Sequence, residues 1–103
     1  MVVLNLPTYS FKIKSVGAKQ QIFDQIRRRY VTLTPEEWVR QNMIAHLIEA
    51  LEVPQTRLSN ETTITYNGLA KRCDTVVYDE HYKPLMIVEY KAPHVELTQA
   101  VFD

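Results

Sequence analysis

The sequence predicts an α/β fold of the α+β kind, a mixed sheet with an antiparallel meander flanked by helices. Three observations predict it. A capped segment from Thr34 to Glu52 repeats apolar residues at helical spacing. Three segments rich in Val, Ile, Thr and Tyr (61–66, 69–78 and 84–91) follow it, the first two joined by Asn67-Gly68. The chain is 46% hydrophobic with 2 Gly and 5 Pro, which calls for a core and argues against disorder. With 103 residues it is expected to form one small domain, residues 1–103. Residues 1–33 supply N-terminal strands and residues 34–103 the core of that domain.

Residues 9–14 (Tyr-Ser-Phe-Lys-Ile-Lys) alternate apolar and polar, as a half-exposed strand does. Gly17 permits a turn, and 21–24 return as a second short strand. Arg27-Arg28-Arg29 leads into the β-prone Tyr30-Val31-Thr32-Leu33. Thr34 is a suitable N-cap, Pro35 fits the first helical position, and Glu37 completes a Thr-x-x-Glu capping box. Met43, Ile44, Leu47, Ile48 and Leu51 form the expected core stripe, and Trp38 anchors the helix to the sheet. Pro54 stops the helix near Glu52. If Asn67 and Gly68 form a two-residue loop, 66 pairs with 69 and Glu61 lies opposite Asp74. If 79 pairs with 84, Asp74 also lies opposite Glu89. The meander then places Glu61, Asp74 and Glu89 in one row on one face. Ala92-Pro93 ends the third strand. Leu97, Ala100 and Val101 begin a helix-like pattern that Asp103 interrupts, so the domain is expected to continue beyond it.

The 12 basic and 12 acidic residues leave zero formal charge, so contact with a polyanion requires a local patch. One cysteine, Cys73, excludes an internal disulfide and suits a reducing, cytoplasmic setting. No apolar run reaches membrane-spanning length, and the first residues lack the pattern of a signal peptide. No membrane partner is therefore expected.

The chemistry gathers at Asp74, Glu89 and Lys91. Glu89 and Lys91 share a strand face because side chains alternate with period two. Adjacent carboxylates on a sheet are unfavourable unless neutralised, and a divalent cation would neutralise them. Mg²⁺ takes one or two carboxylates and keeps several waters, so Asp74 and Glu89 suit it, and Mn²⁺ would substitute. Lys91 can orient the attacking water or stabilise charge developing on a phosphoryl group. The pattern points to metal-assisted hydrolysis of a phosphodiester. A surface ion pair at a strand end is the plain structural alternative.

These residues also carry a resemblance. Asp74 followed by Glu89-x-Lys91 looks like the PD-(D/E)xK nuclease signature, with Cys73 where the signature has proline. Leu33–Gln41, Lys71–Tyr78 and Ile87–Pro93 together resemble the N-terminal domain of the R subunit of type I restriction enzymes. The resemblance covers roughly residues 20–103. It implies a restriction-endonuclease-like fold and Mg²⁺-dependent DNA cleavage, with Asp74 and Glu89 as metal ligands and Lys91 as the catalytic lysine. It also implies DNA and restriction-modification subunits as partners. A catalytically silent module that binds DNA or a partner subunit is the rival. Related nucleases often add a Gln-x-x-x-Tyr helix, but Gln99 is followed four residues later by Asp103. They often place a glutamate on the first helix, for which Glu37 is the candidate.

Other residues weigh less. Arg27-Arg28-Arg29, with Lys12, Lys14 and Lys19 nearby in sequence, forms either a phosphate contact or a solvated surface. Arg72 can pair with a phosphate or an acidic neighbour. His46 reads as structural, His81 as an exposed turn residue, and His94 as a residue near the site. No Cys/His spacing suggests zinc.

Overall fold

The computed structural model describes residues 9–91 and 94–99. Its α+β architecture has two antiparallel sheets and one α-helix. The first sheet, in the order β1-β2-β3, contains β1 (Ile13–Val16), β2 (Lys19–Asp24) and β3 (Arg29–Thr32). The helix α1 spans Pro35–Glu49. The second sheet contains β4 (Leu58–Tyr66), β5 (Leu69–Tyr78), β6 (Pro84–Lys91) and β7 (His94–Gln99), in that order.

The first strand starts later than the alternation over 9–14 suggests. Phe11 lies edge-on against Trp38, 5.4 Å between ring centroids, so that part of the segment packs across the helix. Trp38 thus packs on the segment that leads into β1. The ladder itself begins at Ile13↔Ile22 and turns at Gly17, where φ is +60°.

Helix α1 begins where the cap predicts, with Thr34 Oγ1 accepting from the Glu37 N–H at 3.0 Å. It ends three residues before Glu52. The N–H groups of Ala50 and Leu51 both return to the His46 carbonyl, and Glu52 takes a left-handed φ of 56°. Leu51 is consequently 60% exposed and is not part of the core. Val39, Ile44 and Leu47 are buried instead, and they pack on Leu58, Val77, Val88 and Tyr90 of the second sheet.

The Asn67-Gly68 hairpin forms as predicted, with φ of 50° and 76° at the two loop residues. Tyr66 pairs with Leu69, and that register holds through Leu58↔Val77. Leu97, expected to open a helix, lies instead on strand β7, which pairs with β6 from Lys91↔His94 to Met86↔Gln99. Val95 and Leu97 alternate with polar neighbours, a period of two that suits a strand better than a helix. Ala100, Val101 and Asp103, the rest of the expected helix, lie outside the described residues.

Candidate active site

The side-chain alternation of β4 and β5 breaks at Glu61 and Asp74. On β5, Thr75 and Val77 face α1 while Val76 faces away. Strict alternation would put Cys73 with Thr75, yet Cys73 packs with Val76 and Ile87 on the far face. On β4, the hydroxyls of Ser59 and Thr62 touch, although residues three apart should point oppositely. Each strand therefore carries one extra residue, Glu61 on β4 and Asp74 on β5. Glu61 has a left-handed φ of 53°. Because both strands gain one residue, the register is the same on either side, Asn60↔Thr75 and Thr62↔Cys73.

The register on either side (Asn60↔Thr75, Thr75↔Val88) is the one the row needs, although Tyr78 rather than residue 79 pairs with Pro84 across an irregularity; the three acids do not share one face. Glu61 turns towards α1, where its carboxylate accepts from Arg40 Nη2 at 2.5 Å and from Arg72 Nη2 at 3.2 Å. Glu89 follows the β6 alternation with Ile87 and faces away from the helix, pairing with Lys71 Nζ at 3.6 Å. Asp74 sits between them. Its Oδ2 accepts from the Tyr90 N–H at 2.9 Å, and its Oδ1 lies 3.9 Å from Arg40 Nη2. The β5–β6 pairing runs to Thr75↔Val88, and continuing it by one residue sets Asp74 opposite Glu89. The two carboxyl groups lie within hydrogen-bonding reach of each other. Lys91, exposed at the end of β6, shares the Glu89 side by alternation.

Electrostatics separates the acids. Partial burial and the adjacent Asp74 carboxylate push the Glu89 carboxyl above its ordinary value, and Lys71 offsets part of this. Burial also tends to raise Glu61, but Arg40 and Arg72 outweigh it and hold that carboxyl below its ordinary value. The Cys73 thiol is raised by burial and by Glu89. Glu89 and Glu61 are thus pushed in opposite directions.

Behind the site runs a chain of alternating charges. Asp24, fully buried, pairs with Arg27. Arg27 Nη2 donates to Glu37 Oε1 at 2.8 Å, and Arg40 Nη1 donates to the same oxygen at 2.9 Å. Arg40 then reaches Glu61, and Glu61 reaches Arg72. Glu37 therefore spends its carboxylate on Arg27, Arg40 and Gln41, whose Nε2 donates at 2.9 Å. Arg27 is drawn into this chain, which leaves Arg28 and Arg29 as the exposed members of the basic run. The Arg40 guanidinium lies 5.4 Å from the centroid of the Tyr90 ring, and its Nε is buried with no partner among the described residues.

Sequence reading missed Arg40 and Lys71. A signal for Arg40 was present: Glu37, Arg40, Gln41 and Ile44 recur at helical spacing, so three polar residues share a buried face. Lys71 carried none, because strict alternation places it away from Glu89.

The model of the type I restriction enzyme R protein N-terminus matches residues 35–103, more than half of the chain. The chain belongs to this family. That membership gives it a restriction-enzyme role and a restriction-modification context. The matched residues carry α1, the second sheet and all of Asp74, Glu89 and Lys91. No match was found among curated proteins or among solved structures. Among the described residues no helix is long and apolar enough to cross a membrane.

Proposed function

We propose that this chain is a cytoplasmic, Mg²⁺-dependent endonuclease domain of the type I restriction enzyme R-subunit kind, hydrolysing phosphodiester bonds of DNA. One observation carries the reading: two carboxyl groups from neighbouring strands, Asp74 and Glu89, meet two residues before Lys91, and Glu89 resists ionising beside Asp74. Hard oxygen donors of this kind suit Mg²⁺ or Mn²⁺. Two carboxylates are as many as Mg²⁺ usually takes, water completing its shell.

Asp74 and Glu89 would hold the ion. Bound there, it would polarise a phosphoryl oxygen and lower the pKa of a water. Asp74 is already oriented by the Tyr90 N–H, so one of its oxygens is fixed by the backbone. Lys91 orients the water for attack on phosphorus and compensates negative charge as the P–O bond breaks. Lys71 holds Glu89 in the metal-free state and must yield it to the ion.

The Lys71–Glu89 pair also favours a second reading, a silent module in which these acids are satisfied internally and the domain only binds DNA or a restriction subunit. Calorimetry with Mn²⁺ and a plasmid-nicking assay separate the two. Wild type is expected to bind Mn²⁺ and nick DNA. Asp74→Ala is expected to lose both, and Lys91→Ala to lose nicking with little change in Mn²⁺ affinity. Nicking that persists in both variants would remove these residues from the reaction. Absent Mn²⁺ binding would favour the silent module.

A further inference from the structure

We propose that the outward face of the β1-β2-β3 sheet is a docking surface for the phosphate backbone of duplex DNA. This sheet lies outside the family match, which begins at residue 35. Its register sorts the side chains into two faces. Ile22 and Asp24, both fully buried, lie on the inner face, where Asn60 Nδ2 reaches Asp24 at 3.0 Å. The outer face carries Lys12, Lys14 and Lys19, all exposed, with Gln21, Phe23 and Tyr30 between them. Among the described residues of the three strands, no acid shares this face. A chain of zero net charge thus gathers three exposed lysines on one face of a small sheet.

The ammonium groups are seated. Lys14 Nζ stands 4.2 Å from the Tyr30 ring centroid, and Lys12 Nζ 5.7 Å from that of Phe23. Phe23 and Tyr30 meet edge to face at 5.3 Å. Seating reduces the rotamer freedom of two long side chains, which lowers the ordering cost of a later ionic contact. It also occupies the ring faces with lysine, which disfavours stacking on bases. Cations without stacking platforms fit a continuous phosphate backbone better than unpaired bases. Like charges so close on one sheet face repel, and a polyanion relieves them.

The inference rests on DNA as the substrate, and its test needs no catalysis. Anisotropy of a short fluorescent duplex is measured with the 103-residue chain in EDTA over a series of salt concentrations. The probe is the duplex alone. If all three lysines meet phosphates, Lys12→Gln/Lys14→Gln/Lys19→Gln reduces the slope of log K against log salt by about 2.7. Tyr30→Leu lowers affinity about 2–5-fold with the slope kept. The three lysines are exposed and Tyr30 is half-buried, and an unchanged thermal melt confirms folding of each variant. A triple variant with the wild-type slope overturns the proposal. So does a wild type that prefers single strands, or a Tyr30→Leu chain with unchanged affinity. Lys83→Gln, on the exposed turn between β5 and β6, serves as the control and keeps the wild-type slope. Binding with the expected slope but no cleavage would defeat the catalytic reading alone. Cleavage with an unaltered slope in the triple variant would defeat this one alone.

Discussion

Replacing Arg40 by methionine is expected to cost about 3 kcal/mol of folding stability. Its side chain is 8% exposed and joins Glu37, 9% exposed, to Glu61, 32% exposed. Removing one partner of a buried ion pair costs roughly 3–5 kcal/mol, because the other charge is left uncompensated in a poorly solvated place. The low end applies here because each partner keeps other donors. Glu37 retains Arg27 and Gln41, and Glu61 retains Arg72. Methionine preserves much of the packing against the Tyr90 ring while the cation–π contact is lost. In thermal melts at neutral pH the midpoint should fall by about 12–24 °C for a domain of this size. Adding Glu61→Gln to Arg40→Met should recover about 1 kcal/mol, since a neutral amide needs no counter-charge. A loss below about 1 kcal/mol for the single variant, or a double variant no more stable than the single, would refute the claim that Arg40 is the keystone of this charge chain.

Three further outcomes are expected. Glu89→Gln should raise the melting temperature at pH 8 while removing cleavage. A carboxyl raised in the folded state favours folding below its unfolded value and loses that contribution as pH rises through the folded value. A melting temperature that drops at pH 8 would contradict this. Mn²⁺ affinity should fall as pH is lowered through the raised Glu89 value, with proton release detectable by calorimetry in buffers of different ionisation enthalpy; affinity that is flat there would exclude Glu89 as a ligand. Asp24→Asn should destabilise the fold fully above about pH 4 and progressively less below it. Burial tends to raise Asp24, but Arg27, Asn60 and two backbone N–H groups outweigh it, so its contribution is present above the unfolded value and lost as pH falls through the folded one. Denaturant melts at pH 7 and pH 3 check this, and an equal loss at both would count against it.

Much of the second sheet was legible because one local signal sets many pairs. Asn67-Gly68 accepts left-handed backbone cheaply, and closing that turn dictates the partners of every residue back to Leu58. The thresholds of α1 were legible at its start, where Thr34 and Pro35 act locally, and less so at its end. Pro54 only bounds the helix, while Glu52 adopts its left-handed conformation without a glycine to announce it. The same holds at Glu61. A glutamate gives no hint of positive φ, and a matching extra residue on β5 hides the break from any register argument. The partners of Arg40 were illegible for a different reason. Glu61 and Asp74 are distant in sequence, and only packing brings them to the helix.

The two extra residues at Glu61 and Asp74 also bear on which changes of chain length this domain can absorb. Remove both, and Asn60 runs into Thr62 and Cys73 into Thr75 with inward and outward residues still alternating, the hairpin turn untouched and every remaining pair kept. Remove one, and the surviving strand slides by a residue against its neighbour, exposing one side of the sheet's core. Length variation at these positions should therefore come in pairs. The backbone can close without either residue, so what the two positions add to the domain is a pair of carboxylates.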